Sequence, residues 1–389
     1  MPDGREPVRI RLVERIAALP AAAWDACARG DNPTVSHAFL SALEESGSAS
    51  GETGWLPQHL AVEDESGRLV AAAPLYLKSH SYGEYVFDHG WADAYERAGG
   101  QYYPKLLVAV PFTPVPGPRL LVRPGPAVAE NRRLLVEGLL AATRQLGVSS
   151  LHVNFVKPED AAALAEGGLL RRSGTQFHWR NRGYGCFADF LGDLSSRKRK
   201  MIRKEREAAT RDGLKLLRLT GADLKPAHWD AFFRFYIDTS DRKWGSPYLN
   251  RAFFRRIGEC LADNILLVMA EQDGEPVAGA LNLIGGDTLY GRNWGSDGDY
   301  KFLHFEACYY QAIEFAIERG LTYVEAGAQG EHKIARGYLP VETDSFHYLV
   351  DRRFAAAVAD FLDRERAAVK HERAALAEYS PFRQTDGTD

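Results

Sequence analysis

Residues 325–338 read EAGAQGEHKIARGY and place Glu325, Gln329, Glu331, His332, Lys333, Arg336 and Tyr338 in one short stretch. Three glycines, Gly327, Gly330 and Gly337, joint it. The mixture suits proton transfer beside a bound anion. Glu331 or His332 can act as a base, with Tyr338 as proton donor or orienting group. Lys333 and Arg336 suit a phosphate or carboxylate. Glu325 closes the apolar run LTYVEAGA (321–328), and Gln329 adds an amide in the loop that follows. In open α/β sheets ligands collect beyond the carboxyl ends of strands, where this loop falls. A solvated, charged turn is the plain alternative.

The elements that must hold such a loop alternate along the chain. In the second half, ILLVMAE (265–271), VAGALNLI (277–284) and TLYGRNWG (288–295) read as a three-stranded meander. A helix over 304–320, ended by Gly320, comes next, then the strand feeding the loop, and a last strand, VETDSFHYLV (341–350). In the first half, VRIRLV (8–13) alternates like a strand and SHAFLSALEES (36–46) reads as a helix capped by Ser36. HLAVED and LVAAAPLYL form a hairpin, and YGEYVFD (82–88) reads as a further strand.

The halves superimpose as sequences. Gly67 falls on Gly274 and Val70 on Val277; further on, Tyr85 falls on Tyr290, Gly90 on Gly295 and Tyr95 on Tyr300. A helix ending RQLG and the strand VSSLHVNFV then match IERG and LTYVEAG, with extra residues in the first half near 96–126. The pattern predicts a duplicated α/β unit. The expected domains are 1–186, a basic linking helix at 187–213, a second unit at 214–350, and a C-terminal helix with a frayed tail at 351–389.

With 389 residues, 45% hydrophobic and 26% charged, the chain has the length of two soluble globular domains. A net charge of −4 excludes a global attraction to nucleic acid or anionic lipid. The basic residues are nevertheless concentrated: SSRKRKMIRKERE (195–207) carries seven Lys or Arg between Arg197 and Arg206. They could meet phosphates of tRNA, CoA or lipid, without base-specific reading, since stacking rings are absent from the segment. Four cysteines lie far apart without a CxxC, and no zinc or other metal site is expected. No apolar run has the length of a secretory signal or a membrane span, so the expected location is the cytoplasm, with peripheral membrane contact left open.

The order meander, helix, parallel strand, final strand resembles the GNAT acyltransferase fold. Two such units, with GGQYYPKLLVAVPFTPVPGPRL (99–120), FHWRNRGYGCFADFL (177–191), FRFYIDTSDRKWG (233–245) and VEAGAQGEHKIARGYLP (324–340), resemble the FemAB-like family of predicted N-acyltransferases. The resemblance implies an α/β (α+β) fold: a tandem of GNAT-like units with mixed, mostly antiparallel sheets flanked by helices. It also implies transfer of an acyl group from acyl-CoA or an acyl carrier protein to a small or lipid-linked amine, with no tightly bound cofactor. An aminoacyl-tRNA-dependent ligase acting on a peptidoglycan precursor is the alternative, and a non-catalytic cell-wall or lipid-ligand binding protein a third. A GNAT pose adds His304 and Glu306, opening the long helix, and Asn293 and Trp294, ending the fourth strand. Repeat equivalence adds Asp88 and His89, and the first-half insertion Gln101 and Tyr102. One departure concerns the donor: GSDGDYKFLHFE (295–306) lacks the full pyrophosphate-binding glycine pattern, and Asp297 and Asp299 would repel phosphate.

Overall fold

The computed structural model describes residues 8–242, 246–327 and 330–383. The chain divides into two compact units, Met1–Gly174 with Glu342–Lys370, and Thr175–Val341 with His371–Asp389. Its strands and helices, in chain order, begin with β1 (Arg9–Val13), α1 (Ala21–Ala28), α2 (His37–Glu45), β2 (Trp55–Pro57), β3 (His59–Glu63), β4 (Leu69–Ala73) and β5 (Leu75–Lys78). Then come α3 (His89–Arg97), β6 (Lys105–Val108), β7 (Leu121–Val122), α4 (Val128–Gln145), β8 (Ser150–Val156), α5 (Pro158–Glu166) and β9 (Leu170–Arg180). The second repeat holds α6 (Phe187–Asp193), α7 (Ser196–Ala209), β10 (Lys215–Leu219), α8 (Pro226–Arg242), α9 (Arg251–Cys260), β11 (Ile265–Gln272), β12 (Glu275–Ile284) and β13 (Thr288–Ser296). A composite helix, α10, follows as Leu303–Phe305, a π turn at Glu306–Tyr310 and Gln311–Glu318. The chain continues through β14 (Tyr323–Glu325), a 3-10 turn (Glu331–Arg336), β15 (Leu339–Leu349) and α11 (Arg352–Ala377).

In the first unit β1-β3-β4-β7 form one sheet, and β15, β8, β6, β5 and β2 lie in order in another. Pro74, which has no N–H to offer a ladder, separates β4 from β5 and lets one strand-length of chain serve both. Leu60, Val108, Leu135, Leu139, Leu151 and Val153 are buried in its core. In the second unit the order is β10-β11-β12-β13-β14-β9, and its core includes Trp179, Phe190, Leu266, Val268, Ile313 and Val324. Each unit has one parallel strand pair bridged by a helix: β6–α4–β8 and β13–α10–β14. This is the duplicated element. The last strand of each repeat completes the sheet of the other unit. β15 runs antiparallel to β8 over Asp344–Leu349, and β9 antiparallel to β14 over His178–Arg180.

The hairpins are as expected, with Gly67 and Gly274 in equivalent turns at φ +77° and +87°. Ser36 caps α2, its Oγ accepting from the Phe39 N–H at 3.2 Å. Five expectations need correction. Residues 82–88 form no strand; the chain turns into α3, whose buried Trp91 and Ala92 show the helical face. The first-unit counterpart of β13 is therefore β6, the match of Tyr85, Gly90 and Tyr95 to the second half does not hold, and the extra residues begin before 96, between β5 and β6. The strand expected over 321–328 contracts to Tyr323–Glu325, with Gly327 at φ +79° turning the chain away. The units are discontinuous where contiguous domains were expected, because β9 and β15 each begin in one and end in the other. Helix α7 is part of the second unit, with Ile202, Glu205 and Ala209 buried, and is not a free linker.

One contact in the second unit sets a sharp stability test. A Cβ on Gly295 of β13 would stand 2.3 Å from the Phe235 carbonyl carbon and oxygen of α8, which are backbone atoms. Gly295→Ala should cost about 3 kcal/mol or more, the upper range of core overpacking, readable in chemical denaturation.

Candidate active site

In the second unit β13 and β14 run together for three residue pairs, Thr288–Tyr290 beside Tyr323–Glu325. β13 then continues without β14. A bulge helps it bend: Leu281 faces Asn293 and Asn282 faces Gly291, so Arg292 is the extra residue. Beyond this point Trp294, the first turns of α10 and the 3-10 turn come together, while Asn293, half-buried and next to Trp294 in the strand, has its side chain on the opposite face.

The rings are in contact. His304 stands edge-on to Trp294 and to Tyr309, each at 5.4 Å between centroids, and 6.4 Å from His332. Phe305 lies 5.6 Å from His332. The Tyr309 hydroxyl and His332 Nε2 are hydrogen-bonded at 2.9 Å. The π turn makes this possible. Its wider winding puts two consecutive tyrosines to use: Tyr309 meets His332, and Tyr310 donates to the Glu205 carboxylate of α7.

Electrostatics fix the proton states. Partial burial, then the charges of Arg336 and Lys333, hold the His332 pKa below its ordinary value, so the ring is neutral at pH 7. Burial raises the Tyr309 pKa, so its hydroxyl keeps its proton. A neutral imidazole bonded to a protonated phenol, on an exposed turn, can take a proton from one reactant and return one to another. The acid limb of a His332-dependent rate should therefore lie below pH 6.5, because the base is lost only as pH falls through the lowered pKa. Lys333→Met removes one of the depressing charges. That limb should move upward, and a pH profile of kcat/KM measures it.

The remaining loop residues anchor the turn. Arg336 is buried and holds Glu205 by Nε at 3.1 Å and Nη2 at 2.7 Å, stacks 3.5 Å over Phe305, and donates from Nη1 to the His332 carbonyl at 2.7 Å. It supports the His332 backbone and is not available to a phosphate as expected. Lys333 is buried too; its Nζ donates to the Gly327 carbonyl at 2.9 Å, and burial brings its pKa to about 8. Tyr338 is fully buried beneath Tyr309, donating to its carbonyl at 3.4 Å, so it does not face the surface as a proton donor would. Glu306 is buried in bonds from Arg206 and Gln311, and so is taken up by the scaffold. Glu325 is buried, 3.8 Å from His178 on the neighbouring strand. Glu331 is exposed at the head of the 3-10 turn, and Gln329 lies outside the described residues.

Residues expected from the first half belong to a different environment. Asp88 and Tyr102 are buried in the first unit, where Asp88 Oδ2 accepts from the Tyr102 hydroxyl at 2.7 Å and from Lys105 Nζ at 2.5 Å. Lys105 also donates to Ser81 and to Glu84. His89 and Gln101 are exposed. Thus Asp88 and Tyr102 form part of a buried charge network, and His304, His332 and Trp294 form the ring cluster. Sequence reasoning missed Tyr309 and Glu205. Glu205 had a signal: it is an acid inside a basic run, three residues from Ile202 and four from Ala209, on the apolar side of a helix.

The approach to α10 carries acidic side chains. Asp297 and Asp299 are exposed there, and the Tyr300 hydroxyl donates to Asp297 at 3.0 Å. Among the described residues no group of three or more His, Cys, Asp or Glu could hold a metal ion. Among them, too, no helix is long and apolar enough to cross a membrane.

Paired units, each with a parallel strand pair bridged by a helix, define a GNAT-like tandem fold. The chain belongs to the FemAB-like family, described as peptidoglycan biosynthesis/recognition, whose model matches residues 15–384. The crystal structure of FemX shares the fold with a TM-score of 0.56 at 13% identity, over 88% of this chain and 98% of that one. So does the C-terminal domain of a putative lysylphosphatidylglycerol synthetase from Agrobacterium fabrum, with a TM-score of 0.50 at 12% identity, over 87% and 94%. No curated protein matches the chain.

Proposed function

We propose that the chain is an N-acyltransferase that forms an amide on an amine of a peptidoglycan precursor. The observation that carries this reading is the His332–Tyr309 pair beyond the parting of β13 and β14. The acceptor ammonium first gives one proton to solvent and enters as the neutral amine. Its nitrogen attacks the acyl carbonyl; the C–N bond forms as the bond from the carbonyl carbon to the leaving group breaks, the second nitrogen proton passes to His332 Nδ1, and Tyr309 protonates the departing sulfur or oxygen while taking the Nε2 proton of His332, so both side chains end as they began. His304, in ring contact with Trp294, Tyr309 and His332, is the side chain nearest to hand for orienting the acyl group. The primary reading takes a thioester donor, acyl-CoA or acyl carrier protein. The exposed Asp297 and Asp299 before α10 favour a second reading, an aminoacyl ester on tRNA, whose phosphates need not lie at that helix end.

The test offers a muramyl pentapeptide with a free side-chain amine to the enzyme, with acetyl-CoA, a long-chain acyl-CoA or aminoacyl-tRNA in separate reactions. Mass spectrometry should detect an amide product with one donor in the native enzyme and little in His332→Ala. No amide from any donor would remove the catalytic reading.

A further inference from the structure

Helix α7 has two faces. The buried one, Ile202, Glu205 and Ala209, supports the site through Glu205, which holds Arg336 and Tyr310. The opposite one carries Arg197, Lys200, Arg203 and Lys204, all exposed. At 100° per residue these four lie within about 120° of one another, along about 10 Å of helix. Among the described residues none of the four has a carboxylate within 4 Å, nor has Lys198 or Arg199; the acidic partners in this region are taken by Arg206 and Arg211. Such a row is unfavourable by itself, since like charges at i, i+3 and i+4 repel. It is stabilised by an anionic partner.

We infer that this face of α7 docks on an anionic lipid bilayer surface. Cations in this number on one helix are enough for electrostatic attraction to acidic headgroups. A ring suited to the interface lies at the same end of the helix. Tyr379 is 71% exposed, two residues before Pro381, whose carbonyl accepts from the Ser195 N–H at 2.9 Å at the start of α7. Amphipathic rings of this kind sit at headgroup level. A single-stranded or base-reading RNA partner would call for stacking rings among the cations, and α7 has none. The docking goes beyond the proposed transfer reaction and does not depend on it. It would bring the loop held by Glu205 to within about one helix diameter of the membrane, where lipid-linked amines are found.

The experiment is co-sedimentation of the full chain with vesicles of phosphatidylglycerol and phosphatidylcholine, and with vesicles of phosphatidylcholine alone. The triple variant R197E/K200E/R203E, checked for native circular dichroism, is run in parallel. The native chain should pellet with the anionic vesicles only, and release in 0.5 M salt, as expected of a screened contact. The variant should lose at least about tenfold in partitioning. Equal binding of native and variant chains, indifference to phosphatidylglycerol, or binding that resists salt would overturn the inference. So would retention of bulk tRNA by a chain that ignores vesicles, which would make the partner RNA. The readout is binding alone, so a failed transfer assay leaves it intact.

Discussion

Turnover should fall by about 10²–10⁴-fold when His332 is replaced by alanine, the range for removing a positioned general base. The fold should survive, because His332 is exposed and its side chain is held by a hydrogen bond to Tyr309 at the surface. Tyr309→Phe keeps the buried ring among His304, Phe305 and Tyr338 and deletes only the hydroxyl. It should lower kcat with KM little changed, the signature of a group whose contribution appears in the transition state. The two effects should not add, since each residue is the other's hydrogen-bond partner. Steady-state kinetics of both single variants and the double, with circular dichroism as the folding control, decide it. Two single variants within twofold of the native rate would place the chemistry elsewhere.

The largest stability loss should come from the first unit, at Lys105. Its ammonium is fully buried, with one short bond each to Ser81, Glu84 and Asp88. Burial opposes its charge, and the carboxylates of Glu84 and Asp88 more than compensate, so its pKa is raised. Glu84 is pushed up to about 7 by burial, against the pull of Lys105. Lys105→Met fills the same space without the charge and leaves Glu84 and Asp88 buried with Lys78, 3.9 Å from Glu84, as the remaining cation. The expected cost is about 3–5 kcal/mol, as for one partner removed from a buried ion pair. The sign of its pH dependence follows from the same groups. Without Lys105 both carboxylates would have folded pKa values above their unfolded ones, so the variant gains stability relative to the native chain as pH falls from 7 towards 5. Denaturation at both pH values measures cost and trend. A loss below about 1 kcal/mol at pH 7 would show that water or another donor replaces the ammonium.

Much of the fold was legible because local rules and tertiary packing agree. The hairpin turns at Gly67 and Gly274 need left-handed glycine, and the alternating runs around them have one solution as strands. Where tertiary contacts decide, the sequence misled. YGEYVFD has strand composition, but it joins neither sheet, and α3 begins one residue later. The site was half legible for a similar reason. A loop rich in Glu, His, Lys, Arg and Tyr advertises chemistry, but sequence does not say which side chains turn inward. Arg336 and Lys333 turned in and became supports; His332 stayed outside with a neutral ring. Tyr309 was hidden because a π turn does not follow the 3.6-residue spacing by which helical faces are read.

The exchange of final strands has a consequence for how the chain comes off the ribosome. Domains emerging in sequence usually close as they appear, the earlier ones first. Here the first unit cannot. His152 of β8 bonds to His347 of β15, 195 residues further on, at 2.7 Å between Nδ1 atoms, and both rings are buried. The edge of β8 that receives β15 must therefore wait, unpaired, until the chain has been made through Leu349. Neither half can be expressed as a simple N- or C-terminal fragment with its sheet complete. The nascent chain needs either a shielding factor for that open edge or synthesis fast enough to limit its exposure.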